Sequence, residues 1–308
     1  MKIYHIQSHN SKARIVFHFG LGLVGSAIRD SLQNRFTITH EQHVTIEWDN
    51  LEIDSYFTSL VNLIKDHIET KNIRDYSTTV ILSSGKIGFG STLDQVEHEI
   101  SLFSRLVELL EHLVDSKVLH KNSKIILISS AGGLFEGQVN VNHTSQVKPK
   151  RPYGVAKLEM EKILINHDYF NNYHILRLSS VYSSKSIKNR LGLIAVLVSN
   201  GIKNNYTSIY GNMDTIRDYI YDEDIGDYIG LIVFSEPTQS IEFIVSGVPT
   251  SIFQLKIMVE RILGKKIYMQ IKDSVNAENI TFDSAVKPIG LSITDLEVST
   301  RKLYNTLL

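Results

Sequence analysis

A doubly wound α/β fold, a parallel sheet with helices on both faces, is what this 308-residue sequence predicts. Three observations predict it. Short β-rich runs alternate with helical runs through the first two-thirds of the chain. Strand candidates such as VILSS and IILISS are apolar almost throughout, as strands buried on both faces are. The turn after the first strand candidate, residues 13–19, is built on glycines.

The elements follow in order. Residues 13–19 (ARIVFHF) form a strand, and a glycine turn leads into the helix LVGSAIRDSLQN. Residues 36–41 (FTITHE) are the second strand. SYFTSLVNLIKDHIE has apolar residues at helical spacing, and 78–84 (TTVILSS) is again a strand. VEHEISLFSRLVELLEHLVD is a long amphipathic helix, and 124–130 (KIILISS) is a strand. PYGVAKLEMEKILIN is helical, and 173–182 (YHILRLSSVY) returns to the sheet. After about residue 184 the rhythm changes. An apolar helix near 191–200, the strand TSIYG and the acidic-aromatic segment RDYIYDEDIGDYIGLIVF are followed by the strand IEFIVSG. In the next helix, VPTSIFQLKIMVERILG, Thr250 or Ser251 provides the N-cap.

The stretch FHFGLGLVGSAI places Gly20, Gly22 and Gly25 in G-x-G-x-x-G spacing, directly after a strand and opening a helix. The first glycine permits a tight turn, the second lets a pyrophosphate approach the backbone, and the third lets the helix pack closely. The loop residues Gly20, Gly22, Leu23, Val24 and Gly25 then present unpaired N–H groups to an anion. This context points to a Rossmann-type dinucleotide site. An acidic residue about twenty positions on is expected to hold the adenosine ribose, and Glu41 is best placed, ahead of Asp49. Glu41 favours NAD, while His40, His43 and Lys12 leave room for NADP.

Composition narrows the classes. Hydrophobic residues are 43% and charged residues 21%, which suits a globular protein, and the formal net charge of -1 gives no global field for nucleic acid or an anionic membrane. The absence of cysteine excludes disulfides, zinc–thiolate sites and a cysteine nucleophile, and fits a reducing cytoplasm. No signal-like apolar segment stands near Met1, and the run LGLIAVLVS is too short to span a bilayer. A cytoplasmic protein with no membrane or nucleic-acid partner is therefore expected. The 12 histidines show no metal-ligand spacing, so no metal site is expected.

In RPYGVAKLEME, Tyr153 and Lys157 stand four apart and project from one helix face. Alone this spacing is common, and a solvated helix stripe is the plain alternative. Together with GLGLVG (20–25), ISSAGGLF (128–135), LRLSSVY (176–182), IYGNMDTIRDYIYDEDI (209–225) and VSGVPTSIFQL (245–255), it makes the chain resemble the extended short-chain dehydrogenase/reductase family of nucleotide-sugar epimerases, dehydratases and reductases. The resemblance runs over nearly the whole chain. It implies a dinucleotide-binding domain over 1–184, joined in space by about 218–247, and a smaller interleaved α/β substrate lobe mainly over 185–308.

The resemblance also implies roles. Tyr153 would be the general acid/base. A free tyrosine, with a pKa of about 10, is a poor base at neutral pH, and Lys157 would lower that value and hold the nicotinamide ribose. Ser130, or failing it Ser129, would orient the substrate oxygen. Arg217 would grip the substrate diphosphate, since a guanidinium fork meets two phosphate oxygens. Ser83, Ser84 and Gly85 would line the cofactor, and Ser129 and Ser180 the substrate. A homodimer is implied as well. Glu161, at i+4 from Lys157, reads as a helix-surface partner.

Five positions depart from the family pattern. Phe19 stands where the loop usually has a glycine, LSSGKIGFG replaces the usual end of the fourth strand, Glu99 replaces an asparagine, and Ser180 replaces another. The hydroxyl position of ISSAGGLF falls on Ser130 or on Ala131. The acidic pair of dehydratases is missing, which ranks dehydration low because that reaction needs a further acid and base. An NAD(P)-dependent epimerase or reductase of a nucleotide-activated sugar is the leading expectation. A reductase of a small non-nucleotide substrate, and a dinucleotide-binding regulatory protein without turnover, are the alternatives.

Overall fold

The computed structural model describes all residues except 8–12, 49–53, 71–75, 185–191, 237 and 273–277. Lys12 and Asp49 therefore lie outside the described residues. The first unit comprises β1 (Lys2–Gln7), β2 (Arg14–Phe19), α1 (Leu23–Arg35), β3 (Thr37–His43), α2 (Asp54–Thr70), β4 (Ser77–Leu82), α3 (Leu93–Asp115), β5 (Lys124–Ser130), α4 (Ala131–Leu134), α5 (Pro152–Ile165) and β6 (Tyr173–Leu178). Then come β7 (Ser180–Tyr182), α6 (Leu193–Ile202), β8 (Tyr206–Tyr210), β9 (Ile216–Tyr221), α7 (Asp222–Ile232), β10 (Gln239–Ile244), β11 (Pro249–Ser251), α8 (Ile252–Leu263), β12 (Tyr268–Lys272) and α9 (Leu296–Leu307).

A seven-stranded sheet in the order β10-β6-β5-β4-β2-β1-β3 forms the centre. The five strands from β10 to β2 are parallel, as their apolar sequences require. The fold class expected from the sequence is the one observed. One strand of this sheet was not expected. Residues of KIYHIQ form β1, which runs antiparallel between β2 and β3 and pairs with both.

Two apolar layers flank the sheet. On one face Phe17, Phe19, Val80 and Leu82 pack against α2, α3 and α5 through Leu60, Ile64, Leu106, Leu110, Met160 and Leu164. On the other, Val16, Ile81 and Ile126 pack against α1 and α7 through Ile28, Leu32, Ile225 and Ile229. Burying a single leucine or isoleucine side chain of this kind is worth about 1.5–3 kcal/mol. The α1–α7 crossing is close because Gly226 lacks a side chain: a Cβ there would lie 2.6 Å from the Ala27 carbonyl oxygen. The acidic-aromatic segment thus returns to the first unit, and β10 adds a strand beside β6.

Sequence signals fix several helix starts. Thr92 and Gln95 form a capping box on α3, and Ser251 with Gln254 forms one on α8. Pro152 opens α5 in the first turn, where its missing N–H costs nothing. Two smaller sheets, β11-β9-β7 and β12-β8, build the remaining unit around a core that includes Tyr182, Leu197, Tyr221, Leu255 and Val259. No helix among the described residues is long and apolar enough to cross a membrane.

Candidate active site

Parallel strands end at one edge of the sheet, and ligands of such folds bind there. At that edge Gly20 adopts φ +94°, and a Cβ on it would collide with Ser84 N. A Cβ on Gly25 would collide with the Gly20 carbonyl oxygen. A Cβ on Gly22, by contrast, would meet nothing within 4 Å. That open space lies at the start of α1, whose N-cap is Gly22, with no side-chain cap and no acidic residue in the first turn. The N–H groups there have no intramolecular substitute for an anion. The residues present therefore fit a dinucleotide pyrophosphate.

Buried groups brace this turn. The Ser83 hydroxyl donates to the carbonyls of Gly20 (2.8 Å) and Phe19 (3.0 Å), and His18 Nε2 lies 3.0 Å from Ser83 Oγ. His18 is fully enclosed, and burial pulls its pKa down to about 3, so the imidazole stays neutral. Phe19, the residue in place of a glycine, points into the core rather than across the loop. The backbone N–H groups of Lys86 (2.6 Å) and Ile87 (3.0 Å) donate to the Glu99 carboxylate, which anchors the loop after β4. Glu99, which replaces the asparagine of the family pattern, thus serves as an acceptor.

A cavity of about 520 Å³ joins this turn to α5. Its walls include Gly22, Leu23, Val24, Ser83, Ser84, Gly85, Ser129, Ser130, Tyr153 and Lys157, all singled out in the sequence. Lys86, Ile87, Ile128, Leu178, Ser179 and Val181 complete it. Ser130 is the N-cap of α4: the Gly133 N–H donates to its hydroxyl oxygen at 3.0 Å. Of the two glycines in ISSAGGLF, Gly133 has a packing reason, since a Cβ on it would press on the Tyr153 ring at 3.0 Å. Phe89 covers that ring from another side, 5.2 Å between centroids. The Lys157 ammonium lies 3.4 Å from the Ile128 carbonyl.

Glu161 lies differently from the sequence expectation, and Ser180, Arg217 and Glu41 stand apart from the walls of this cavity. Glu161 is not on the helix surface. It is 1% exposed and accepts hydrogen bonds from Ser129 Oγ (2.5 Å) and from Arg177 (3.0 and 2.7 Å). The Ser129 hydroxyl is thereby turned to Glu161, although the residue lines the cavity. Ser180, in β7, and Arg217, in β9, are not among the residues lining the cavity. Glu41 lies one strand further from the glycine turn than expected, because β1 intervenes, and its carboxylate binds Lys2. The carboxylate of Asp218, the residue after Arg217, accepts from the N–H groups of Ser246 (2.8 Å) and Gly247 (2.7 Å). Burial lowers the Arg217 pKa, partly offset by Tyr219 and Glu136. Just before α5, Lys150 pairs with Glu278, and Arg151 with Glu136 at 2.9 Å.

A Rossmann-type sheet whose glycine turn and tyrosine–lysine helix face one cavity defines an α/β dinucleotide-dependent class of protein. Residues 20–239 match the NAD dependent epimerase/dehydratase family. The chain belongs to that family of enzymes, whose cofactor is NAD. A candidate UDP-glucose 4-epimerase of Methanocaldococcus jannaschii is 26% identical over 216 residues, 67% of this chain and 68% of that protein. Two solved structures share the fold nearly end to end. The UDP-glucose 4-epimerase of Thermus thermophilus, complexed with NAD, gives a TM-score of 0.73 at 17% identity, covering 96% of this chain and 98% of that one. The Thermotoga maritima UDP-glucose 4-epimerase, with UDP-glucose, gives 0.72 at 17%, covering 94% and 97%.

Proposed function

We propose that this chain is an NAD-dependent 4-epimerase of a nucleotide-activated sugar, with Tyr153 and Lys157 as its acid/base pair. The observation that carries the reading is the single cavity in which the start of α1 and the Tyr153–Lys157 face of α5 meet. The UDP-sugar epimerases among its relatives, matched over most of their length, support the sugar-nucleotide class.

NAD, when bound, supplies a hydride acceptor and donor. The chain's own residues do the rest. The turn of Gly20, Gly22 and Gly25, with the N–H groups of Leu23 and Val24, takes the pyrophosphate, and Ser83, Ser84 and Gly85 line its path. Tyr153 accepts the proton of the sugar 4-hydroxyl at its phenolic oxygen and later returns it. Lys157, one turn on, supplies positive charge beside that phenol and holds the ribose. Ser130 orients the sugar oxygen. Gly133 and Phe89 hold the Tyr153 ring between them, so that its oxygen is presented in one place. Arg217 takes the substrate diphosphate from the neighbouring unit, and Ser180, on the strand paired with β9, lines the substrate.

The test is C4 inversion of UDP-glucose or UDP-glucuronic acid by NAD-loaded protein, followed by proton NMR. Tyr153→Phe is expected to lower turnover by about a hundredfold or more while NADH still binds. Undiminished turnover in that variant would remove Tyr153 from the chemistry. Absence of inversion with either sugar would send the search to other substrates of the class.

A further inference from the structure

The walls of the cavity follow the order of the sheet. Gly22 follows β2, Ser83 follows β4, Ser130 ends β5 and Ser179 follows β6. A dinucleotide whose pyrophosphate rests on the glycine turn therefore extends its nicotinamide half towards β5 and β6, where α5 brings Tyr153 and Lys157. Strand alternation gives the side. Arg177 of β6 points to α5, since its guanidinium meets Glu161 of that helix. Leu178 points the other way, into the layer of α1 and α7. Ser179, two residues after Arg177, returns to the α5 side. Its backbone is fixed there, because its N–H donates to the Ile244 carbonyl of β10 at 3.1 Å.

The Ser179 hydroxyl stands apart from those of its neighbours. Ser83 donates to the Gly20 and Phe19 carbonyls, Ser129 donates to Glu161, and Ser130 accepts from the Gly133 N–H. Ser179 is 8% exposed, and among the described residues its Oγ has no hydrogen-bond partner. Enclosing a hydroxyl without a partner is costly, and a ligand that supplies one recovers the cost. A serine side chain has one torsion to turn, and this residue lines the cavity. A carboxamide offers a carbonyl acceptor and an amino donor, and a hydroxyl can meet either.

We propose that the Ser179 hydroxyl turns to the nicotinamide carboxamide of bound NAD and holds the ring against rotation about its bond to the ribose. The proposal rests on the reading of this cavity as the NAD site and deepens it. It gives the β6 end of the cavity to the cofactor rather than to the sugar.

Trp48, the only tryptophan in the chain, lines an adjoining pocket of about 370 Å³ beside Gly20 and Gly22, so its emission reports occupancy of the glycine turn without turnover. The experiment is to titrate the full chain with NADH while following Trp48 emission, and then to displace NADH with ADP-ribose. That competitor keeps the pyrophosphate and both riboses but has no nicotinamide. Ser179→Ala should weaken NADH by about five- to tenfold and leave ADP-ribose within about twofold. The urea midpoint of the nucleotide-free variant should equal or exceed that of the wild type, since the change removes a hydroxyl that has no partner. Unchanged NADH binding overturns the proposal, as does an equal weakening of NADH and ADP-ribose. So does a lowered midpoint, which would give the hydroxyl a partner within the protein. Weaker UDP-glucose binding to the NAD-loaded variant, with NADH unaffected, would assign Ser179 to the sugar and likewise overturn it. Absence of quenching by NADH in the wild type overturns the dinucleotide reading itself, a different result from an unequal effect on the two nucleotides.

Discussion

Glu161 ties the helix that carries Tyr153 and Lys157 to the sheet. Its carboxylate takes Ser129 of β5 and both arms of Arg177 of β6, and the Arg177 guanidinium lies over the Phe135 ring, 5.6 Å from its centre. A buried pair of this kind adds little net stability against an apolar replacement, yet losing one partner leaves a charge stranded. Glu161→Ala is expected to cost about 3–5 kcal/mol in urea unfolding, whereas Ser129→Ala costs about 1 kcal/mol. Equal effects would show that Arg177 finds another partner. The spacing of Tyr153 and Lys157 was readable because four residues make one turn of any helix. The same spacing misread Glu161: i,i+4 geometry says which side chains are neighbours along a helix, and only tertiary packing says which face is buried.

At the scale of the element, the glycine turn separates two kinds of glycine. Gly20 is needed for its backbone conformation and for its approach to Ser84, while Gly22 leaves space. Gly20→Ala should lower stability by about 1–3 kcal/mol, seen as a reduced urea midpoint. Gly22→Val should leave the midpoint in place and weaken NADH binding by about tenfold or more, read from Trp48 emission. A Gly22→Val protein that binds NADH normally would move the pyrophosphate away from this turn. The loop was legible because its spacing follows a strand and opens a helix. The position of β3 was not. Hydrophobic pattern identifies a strand at residues 36–41 but not its neighbour, which non-local pairing decides. KIYHIQ also alternates poorly, because four consecutive residues are buried, and its polar Tyr4 and His5 disguise a strand covered on both faces. The fold class survived this omission, since five parallel strands and their helices set it without β1.

For the whole molecule, stability should depend on pH through buried cationic groups whose pKa values burial lowers. His18 has a folded pKa of about 3 against about 6.5 unfolded, so between those values the unfolded chain holds a proton that the folded one lacks. Stability from this group is present above pH 6.5 and is lost as pH falls, at up to about 1.4 kcal/mol per pH unit. Urea midpoints from pH 7 to 4 should decline less steeply for His18→Gln than for the wild type; parallel declines would place the proton elsewhere. Lys124, whose ammonium donates to the Ile232 and Ser235 carbonyls, is lowered to about 8 by burial, so the same sign of slope recurs from about pH 8 to 10.5. The inserted strand has a further, practical consequence at this scale. Met1 lies in the wall of the pocket beside Gly20 and Trp48, so any polypeptide joined ahead of it, an affinity tag or a fused domain, leaves the sheet at the mouth of that pocket. Leu308 is 79% exposed at the end of α9 and is absent from that wall. Constructive fusion belongs at the carboxyl end.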